Sequence, residues 1–389
     1  MSKQVGNVQL MQKMNRLKVL NYIRKNPDTS RPMIAAHTGL SLASITNITS
    51  YLLDAGLLKE SGIESVERVG RKSTLLRFCS DSYGLVVAVL NDKEINISYT
   101  TLDGTSKVSK KYSIDDMKSD RVIELVCSAI KDTVRECGEE KTLAIGVHFS
   151  GLVLDGSRFV FSSSMKWKEI DIREKLQTET GIPVFVENIS RIRAVGYVCS
   201  HKDSYSKNMV FVDLENGIGA VRISNGLVKN TVLGEIGHTT VEKNGIECFC
   251  GNRGCLEAMC SLERLQRLYE EKSGNKDMEV SDITSLYYKN DENASYAIRE
   301  CSEYLGIGLA NLVSVFHPSV LVINRGQFEH CSPLISEAVE EMNRRAYSAL
   351  IQDMEVRYIS IDFRQTLKGA AYEMCDRIFD ISSPHNPVV

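Results

Sequence analysis

The chain has 389 residues, of which 43% are hydrophobic and 25% charged, an ordinary globular composition with room for two or three cores. No run of about 18 apolar residues occurs and the N-terminus MSKQVGNVQL lacks an apolar signal core, so neither a membrane span nor export is expected and the location read is cytoplasmic. The net charge of -3 hides an asymmetry: residues 1–80 carry 12 Lys plus Arg against 5 Asp plus Glu, a surplus of +7 that leaves -10 for the remainder. A basic head on an acidic body points to a polyanion partner for the head alone. Eleven cysteines scattered from Cys79 to Cys375 do not form a disulfide framework in so long a chain.

Leu17, Val19, Leu20 and Ile23 mark an apolar helical stripe that Pro27 ends just after Lys25 and Asn26. Ser30 caps a second helix beginning at Arg31-Pro32, where proline loses no intrahelical bond, and Gly39 breaks it. Ser41 caps a third, in which Ile45, Ile48 and Leu52 face inward and Ala43, Ser44, Thr46, Asn47, Ser50 and Tyr51 face outward. This is a helix-turn-helix, whose second helix enters the DNA major groove. Ser44, Thr46 and Asn47 are the base-contact candidates, since Asn pairs bidentately with adenine and hydroxyls suit bases or phosphates. Residues 57–60 and 73–78 read as strands flanking SGIESVERVGRK, a wing whose Arg68, Arg71 and Lys72 are candidates for phosphate or minor-groove contact.

From Tyr83 the pattern changes to alternating strands and helices, the mark of an α/β sheet. GLVVAVL and EINISYTTLDG precede a helix over 121–137. TLAIGVHFSGLV and GIPVFVEN are apolar runs typical of covered strands, with DIREKLQTET helical between them. The alternation resumes at MVFVDLENGIGAVRIS and SVLVINRG, around a helical block from Ser261 to Phe316.

Between Gly234 and Glu257 the sequence GEIGHTTVEKNGIECFCGNRGCLE sets His238, Cys248, Cys250 and Cys255 among glycines that let the backbone fold back. Three thiolates and one imidazole form a closed tetrahedral zinc shell with no open position for an activated water. The metal expected here is therefore structural Zn2+.

The C-x-C-G-x-x-G-C run preceded by G-x-x-G-H resembles the signature of the ROK family (repressor, open reading frame, kinase), and the head with its Gly70-Arg71 pair resembles the winged helix of ROK repressors. That resemblance implies an α/β fold with an actin-like, ribonuclease H-like body of two lobes behind an N-terminal winged helix-turn-helix. The expected division is residues 1–80 as head, 81–191 as first lobe with a C-terminal helix within 366–389, and 192–365 as second lobe carrying the zinc loop. It also implies that His238 binds zinc through one nitrogen and faces a sugar with the other, and that Asn188, Glu235, His238 and Glu257 bind the ligand.

The family's kinase elements are altered. Where D-x-G-x-T forms the first phosphate loop this chain has Val89 to Lys93, V-L-N-D-K. The second loop reads L-E-N-G-I-G, with Glu215 and Asn216 in place of glycine and threonine, and the adenosine-side glycine pair has become Asn324-Arg325-Gly326. The E-N-D whose aspartate takes the sugar hydroxyl's proton reads Glu187-Asn188-Ile189, and isoleucine accepts no proton. The resemblance thus implies no catalytic residues and a sugar-responsive transcriptional regulator, a repressor of carbohydrate-utilisation genes. Its partners would be double-stranded operator DNA, bound as a homodimer or tetramer, and a sugar or sugar derivative, a xylose-type sugar among them. The alternatives are a sugar kinase with a DNA-binding appendage, or a repressor controlled by a protein partner.

Overall fold

The computed structural model describes residues 2–63, 73–114, 118–154, 158–163, 165–168, 170–215, 217–228 and 235–380. The head consists of α1 (Ser2–Lys25), β1 (Thr29–Ser30), α2 (Arg31–Thr38), α3 (Leu42–Asp54), β2 (Leu58–Ile63) and β3 (Thr74–Phe78). Gly39 stops α2 in the left-handed region at φ 72°, its N–H returning to the Ala35 carbonyl, a cap that side chains disfavour. Ser41 starts α3 by accepting the Ser44 N–H at 3.1 Å. Ile34, Ile45 and Leu52 are buried against Leu17, Leu20 and Ile23 of α1. β3 lies between β1 and β2 in an antiparallel sheet. The wing residues 64–72, and with them Arg68, Arg71 and Lys72, lie outside the described residues.

The first lobe contains β4 (Gly84–Leu90), β5 (Glu94–Thr101), β6 (Ser106–Ser113), α4 (Ser119–Cys137), β7 (Thr142–Phe149), β8 (Leu152–Leu154), β9 (Arg158–Ser162), β10 (Trp167–Lys168), α5 (Ile172–Thr180) and β11 (Val184–Asn188), and α6 (Ile189–Ser200) runs across the boundary expected between residues 191 and 192. The second contains β12 (Asn208–Leu214), β13 (Ile218–Ser224), β14 (Leu227–Val228), α7 (Leu256–Cys260), α8 (Leu262–Ser273), α9 (Val280–Tyr287), α10 (Glu292–Phe316), β15 (Val320–Asn324), α11 (Ser332–Arg345), α12 (Ser348–Ile351) and β16 (Glu355–Ile359). The block expected as helical over 261–316 is thus several helices, broken where Gly274 takes φ 75° and where Asp291 caps α10.

The two lobes share one topology. In the first the strand order is β11-β7-β4-β5-β6, and in the second β16-β15-β12-β13-β14. Each is a three-strand antiparallel meander followed by two strands added parallel on the other side of its first strand. β4 is buried along its whole length, as a central strand covered on both faces must be.

α13 (Phe363–Ile378) returns from the second lobe to the first, opened by a capping box in which Asp362 and Gln365 satisfy each other's backbone N–H. It crosses α6 so closely that a Cβ on Gly369 would lie 2.1 Å from the Ile192 carbonyl oxygen and 2.7 Å from the Gly196 nitrogen. Backbone on backbone leaves nothing flexible to yield. Gly369→Ala is therefore expected to lower unfolding stability by about 1–3 kcal/mol, the usual cost of overpacking, measured as a lower urea midpoint. An unchanged midpoint would contradict this crossing.

The head is not tethered loosely. Its apolar core runs without a break into Leu85 and Val87 of β4 and into Leu367, Ala370, Ile378 and Phe379 of the C-terminal helix region. Asn21 Nδ2 donates to the Phe379 carbonyl at 3.0 Å, and Arg24, whose side chain is 7% exposed, pairs with Asp376.

Candidate functional site

The four expected metal ligands converge. Donor atoms of His238, Cys248, Cys250 and Cys255 all lie within 4.8 Å of one another. Cys248 Sγ is 3.6 Å from His238 Nδ1, and Cys250 Sγ is 3.6 Å from Cys255 Sγ. An ion with bonds of about 2.3 Å to sulfur and about 2.0 Å to nitrogen at tetrahedral angles needs donor separations of roughly 3.5 to 3.8 Å; the two 3.6 Å pairs match this, and three thiols with one imidazole are a donor set that suits zinc. Two glycines make the fold-back possible. Gly251 takes φ 93° and Gly254 φ 64°, and a Cβ on Gly254 would sit 1.7 Å from the Glu242 carbonyl oxygen. Without a cation, burial pushes the Cys248 and Cys255 thiols up, and the neighbouring sulfurs add to it at Cys255.

With Nδ1 toward the sulfurs, Nε2 of His238 faces Glu235, whose Oε2 stands 3.8 Å away. Burial raises the Glu235 carboxyl above its ordinary pKa; His238 opposes this and Glu257 adds to it. Glu257, in the first turn of α7, accepts the Ser163 hydroxyl at 2.7 Å through Oε1 and the Ile218 N–H at 3.0 Å through Oε2. It therefore joins the first lobe to the second. Gly217 lies beside it: a Cβ there would meet Glu257 Oε2 at 2.6 Å, so a larger residue would displace this carboxylate.

Aromatic rings close the same seam: Phe161 lies edge-on to His238 with centroids 5.5 Å apart and stacks on Phe249 at 5.6 Å. Sequence reasoning missed both. The signal was there for Phe249, an aromatic residue placed between two ligand cysteines, whose ring is 41% exposed. Asn188 sits elsewhere in role: its Oδ1 accepts the Ser190 and Arg191 N–H groups as the N-cap of α6, and its Nδ2 donates to the Gly151 carbonyl at 2.7 Å. The carboxylates Glu235 and Glu257 and the His238 imidazole come together; the Asn188 amide is largely committed to the backbone. Trp167 is buried, packed edge-on to Phe149.

On the far side of Gly217 the lobes leave a cleft lined by residues including Asn91, Ile189, Arg193, Asp213 and Glu215. At the first altered loop, Asn91 Oδ1 accepts the N–H groups of Lys93 and Glu94 at 2.9 and 2.7 Å, so amides that could face a phosphate are already bonded. Arg193 spans the cleft to Asp213 at 3.0 Å and to Glu215 at 3.8 Å, while Asn324 Nδ2 donates to the buried Asp213 at 2.6 Å. Burial lifts the Glu215 carboxyl; Arg193 draws it down and Asp213 lifts it again. One arginine shared by two carboxylates leaves this cleft with an excess of negative charge.

On the head, α3 turns Ile45, Thr49 and Leu52 inward and presents Ala43, Thr46, Asn47 and Ser50 to solvent. The Ser44 hydroxyl lies 2.9 Å from that of Ser41, and the Thr46 hydroxyl donates to the Leu42 carbonyl at 2.8 Å. Asn47 is the candidate whose amide has no partner among the described residues.

A basic helix-turn-helix head on a two-lobed α/β body with duplicated topology and a Cys3His cluster at the lobe seam defines an actin-like body joined to a DNA-binding type of head. The chain belongs to the ROK family, which its residues 93–374 match. It is similar over 385 residues, at 26% identity, to the xylose repressor of Bacillus subtilis (strain 168), spanning 97% of this chain and 99% of that one. Over 383 residues it is 25% identical to the DNA-binding transcriptional dual regulator NagC of Escherichia coli (strain K12), spanning 95% and 94% respectively. Among solved structures, a ROK family transcriptional regulator described as a homologue of the E. coli MLC protein superposes with a TM-score of 0.77 at 22% identity, over 93% of this chain and 96% of that one. A ROK family glucokinase from Streptomyces griseus, in complex with glucose and AMPPNP, gives 0.61 at 21% identity over 74% of this chain and 98% of that one. The actin-like fold expected for the body is borne out by these likenesses.

Proposed function

We propose that this chain is a sugar-responsive DNA-binding regulator, a cytoplasmic repressor of carbohydrate-utilisation genes acting as a dimer or tetramer on a pseudo-palindromic operator. The observation that carries the reading is a helix-turn-helix whose core is continuous with the body, so that a change in the body is transmitted to the head. The names of the two curated relatives support it. Helix-turn-helix dimers read half-sites about 10 base pairs apart or multiples of that, and a ligand that favours one arrangement of the lobes shifts the spacing of the two heads by differential affinity alone.

Zinc held by His238, Cys248, Cys250 and Cys255 is structural in this reading. When bound it supplies charge neutralisation and geometry, fixing His238 so that Nε2 is presented next to Glu235. Glu235, His238 and Glu257 then form the polar wall for a hydroxyl-rich ligand, with Asn188 keeping Gly151 and the start of α6 in place. Kinase activity is absent, because Ile189, 4% exposed at the cleft, stands where a proton acceptor is needed and Asp213 and Glu215 repel a polyphosphate. The glucokinase likeness favours the competing reading of a kinase with a DNA-binding appendage.

One preparation of pure protein separates the readings. Operator fragments selected from genomic DNA are titrated with and without a panel of free sugars, and sugar-dependent ATP consumption is followed in parallel. Specific binding altered at least tenfold by one sugar, without ATP turnover, is the expected result. Turnover at a rate above about 1 per second, the low end of ordinary enzymes, would establish the kinase instead. Asn47→Ala is expected to lose about 1–3 kcal/mol of operator discrimination while keeping its binding to random duplex.

A further inference from the structure

We infer that Leu42 and Ala43, at the first two positions of α3, read thymine C5-methyl groups in the operator. This rests on the DNA-binding reading of the head. Leu42 is 53% exposed and Ala43 is exposed beside it, at the end of the recognition helix whose early residues meet base edges. The inward side of α3 is already filled by Ile45, Thr49 and Leu52, one turn further along. Leu42 therefore projects past the core and not into it.

The polar groups nearby are already engaged in bonds within the helix. Ser41 caps the helix through the Ser44 N–H, the Ser41 and Ser44 hydroxyls lie against each other, and Thr46 gives its proton to the Leu42 carbonyl. What the tip of α3 offers a base edge is thus an isobutyl group, a methyl group and the Asn47 amide. In the major groove only thymine presents a methyl group, which apolar side chains contact; the surrounding charge of the head, +7 over residues 1–80, suits the phosphates on either side. A second copy is a poorer occupant, because two equally basic heads repel at this surface.

The test uses the full-length protein and the duplex it prefers, selected from a random pool. Each thymine is replaced in turn by deoxyuracil, which deletes the methyl and nothing else. The expected result is one symmetry-related pair of thymines at which replacement weakens binding about fourfold per half-site, the partition value of one buried methyl. Leu42→Ala should weaken binding to the parent duplex and abolish the penalty at that pair, leaving the Asn47-dependent position unaffected. Conversely, a 5-methylcytosine placed at that position should bind the parent protein more tightly than cytosine does.

Sequence-specific binding with no uracil-sensitive position, or an equal uracil penalty in the parent and in Leu42→Ala, overturns the methyl readout while leaving the DNA-binding reading intact. A Leu42→Ala protein that binds DNA like the parent but self-associates less also overturns it, by assigning the surface to protein contact. Failure to select any preferred duplex overturns both.

Discussion

Cys255→Ser is expected to lose zinc and, with it, any sugar response, while its binding to DNA persists. Cys255 is fully buried and is the ligand on which the loop closes, with Sγ 3.6 Å from that of Cys250 and its own helix α7 beginning at the next residue. Apparent binding energies of structural zinc sites are on the order of 10 kcal/mol, so the loss of one of the three thiolates removes more than a domain of ordinary stability can absorb locally. The damage should fall on residues 238–257, and therefore on Glu257, which ties Ser163 of the first lobe to Ile218 of the second. Metal analysis of the parent protein should give close to one zinc per chain and of the variant a small fraction. Limited proteolysis should cut the variant within the loop, and operator affinity should stay within a factor of about three, since among the described residues no hydrogen bond or ion pair joins the head to this segment. A variant that retained full zinc, or a parent purified without chelators and found metal-free, would remove zinc from this site.

Much of this loop was legible in advance because its chemistry is local. Ligand type and spacing need only the sequence 238–255, and the glycines that permit the fold-back stand inside it. The helix-turn-helix was legible for the same reason: Ser41, Gly39 and the inward residues Ile45 and Leu52 act within a turn or two of one another. What the sequence does not carry is meeting at long range. The duplicated strand order of the lobes is invisible in hydrophobic runs that look alike whichever neighbour they pair with. Asn188 reads as a ligand-contacting amide, yet its place at the start of α6 makes it an N-cap, a role that depends on where the helix begins. Phe161 reaches His238 and Phe249 only because β9 is carried across to the zinc loop. Residues 8–14 of α1 escaped the periodic signal because their apolar side chains are not taken into the core, with Val8, Leu10, Met11 and Met14 about half exposed. Most of all, no pattern in residues 17–25 announces that they lie against residues 367–379.

That junction sets the second large effect. Arg377 on α13 pairs with Glu187 on β11 and lies 3.1 Å from Glu373, which itself takes two bonds of 3.0 Å from Arg191 of α6. Glu187 and Glu373 are only 7% and 8% exposed. Charges so deeply placed are tolerated because each carboxylate faces arginine, and removal of one partner typically costs 3–5 kcal/mol, since the other is left buried and unpaired. Arg377→Met, close in volume, should therefore lower unfolding stability at pH 7, but by less than the roughly 3–5 kcal/mol of a fully unpaired buried charge, because Glu187 and Glu373 both keep Arg191. The pH dependence gives an independent check. Burial alone would raise the Glu373 pKa, but the guanidiniums of Arg191 and Arg377 together bring it below the ordinary 4.5. A carboxylate with a depressed folded pKa contributes stability that is present above its unfolded value and lost as pH falls through the folded one. Urea unfolding of the parent should thus weaken between pH 5 and more acidic conditions, and the acid limb should be flatter in Arg377→Met, whose Glu373 retains Arg191 alone. Equal acid limbs in the two proteins would mean that Arg377 does not set this charge. The neighbouring residue on the same helix, Asp376, holds Arg24 of α1, so that one turn of α13 is clamped to the strand beneath the cleft through Arg377 and to the head through Asp376. Arg24→Met should then leave the acid limb of Glu373 unchanged while loosening the head, read as lower sugar dependence of operator binding; a full sugar response in that variant would place the coupling elsewhere in the shared apolar core.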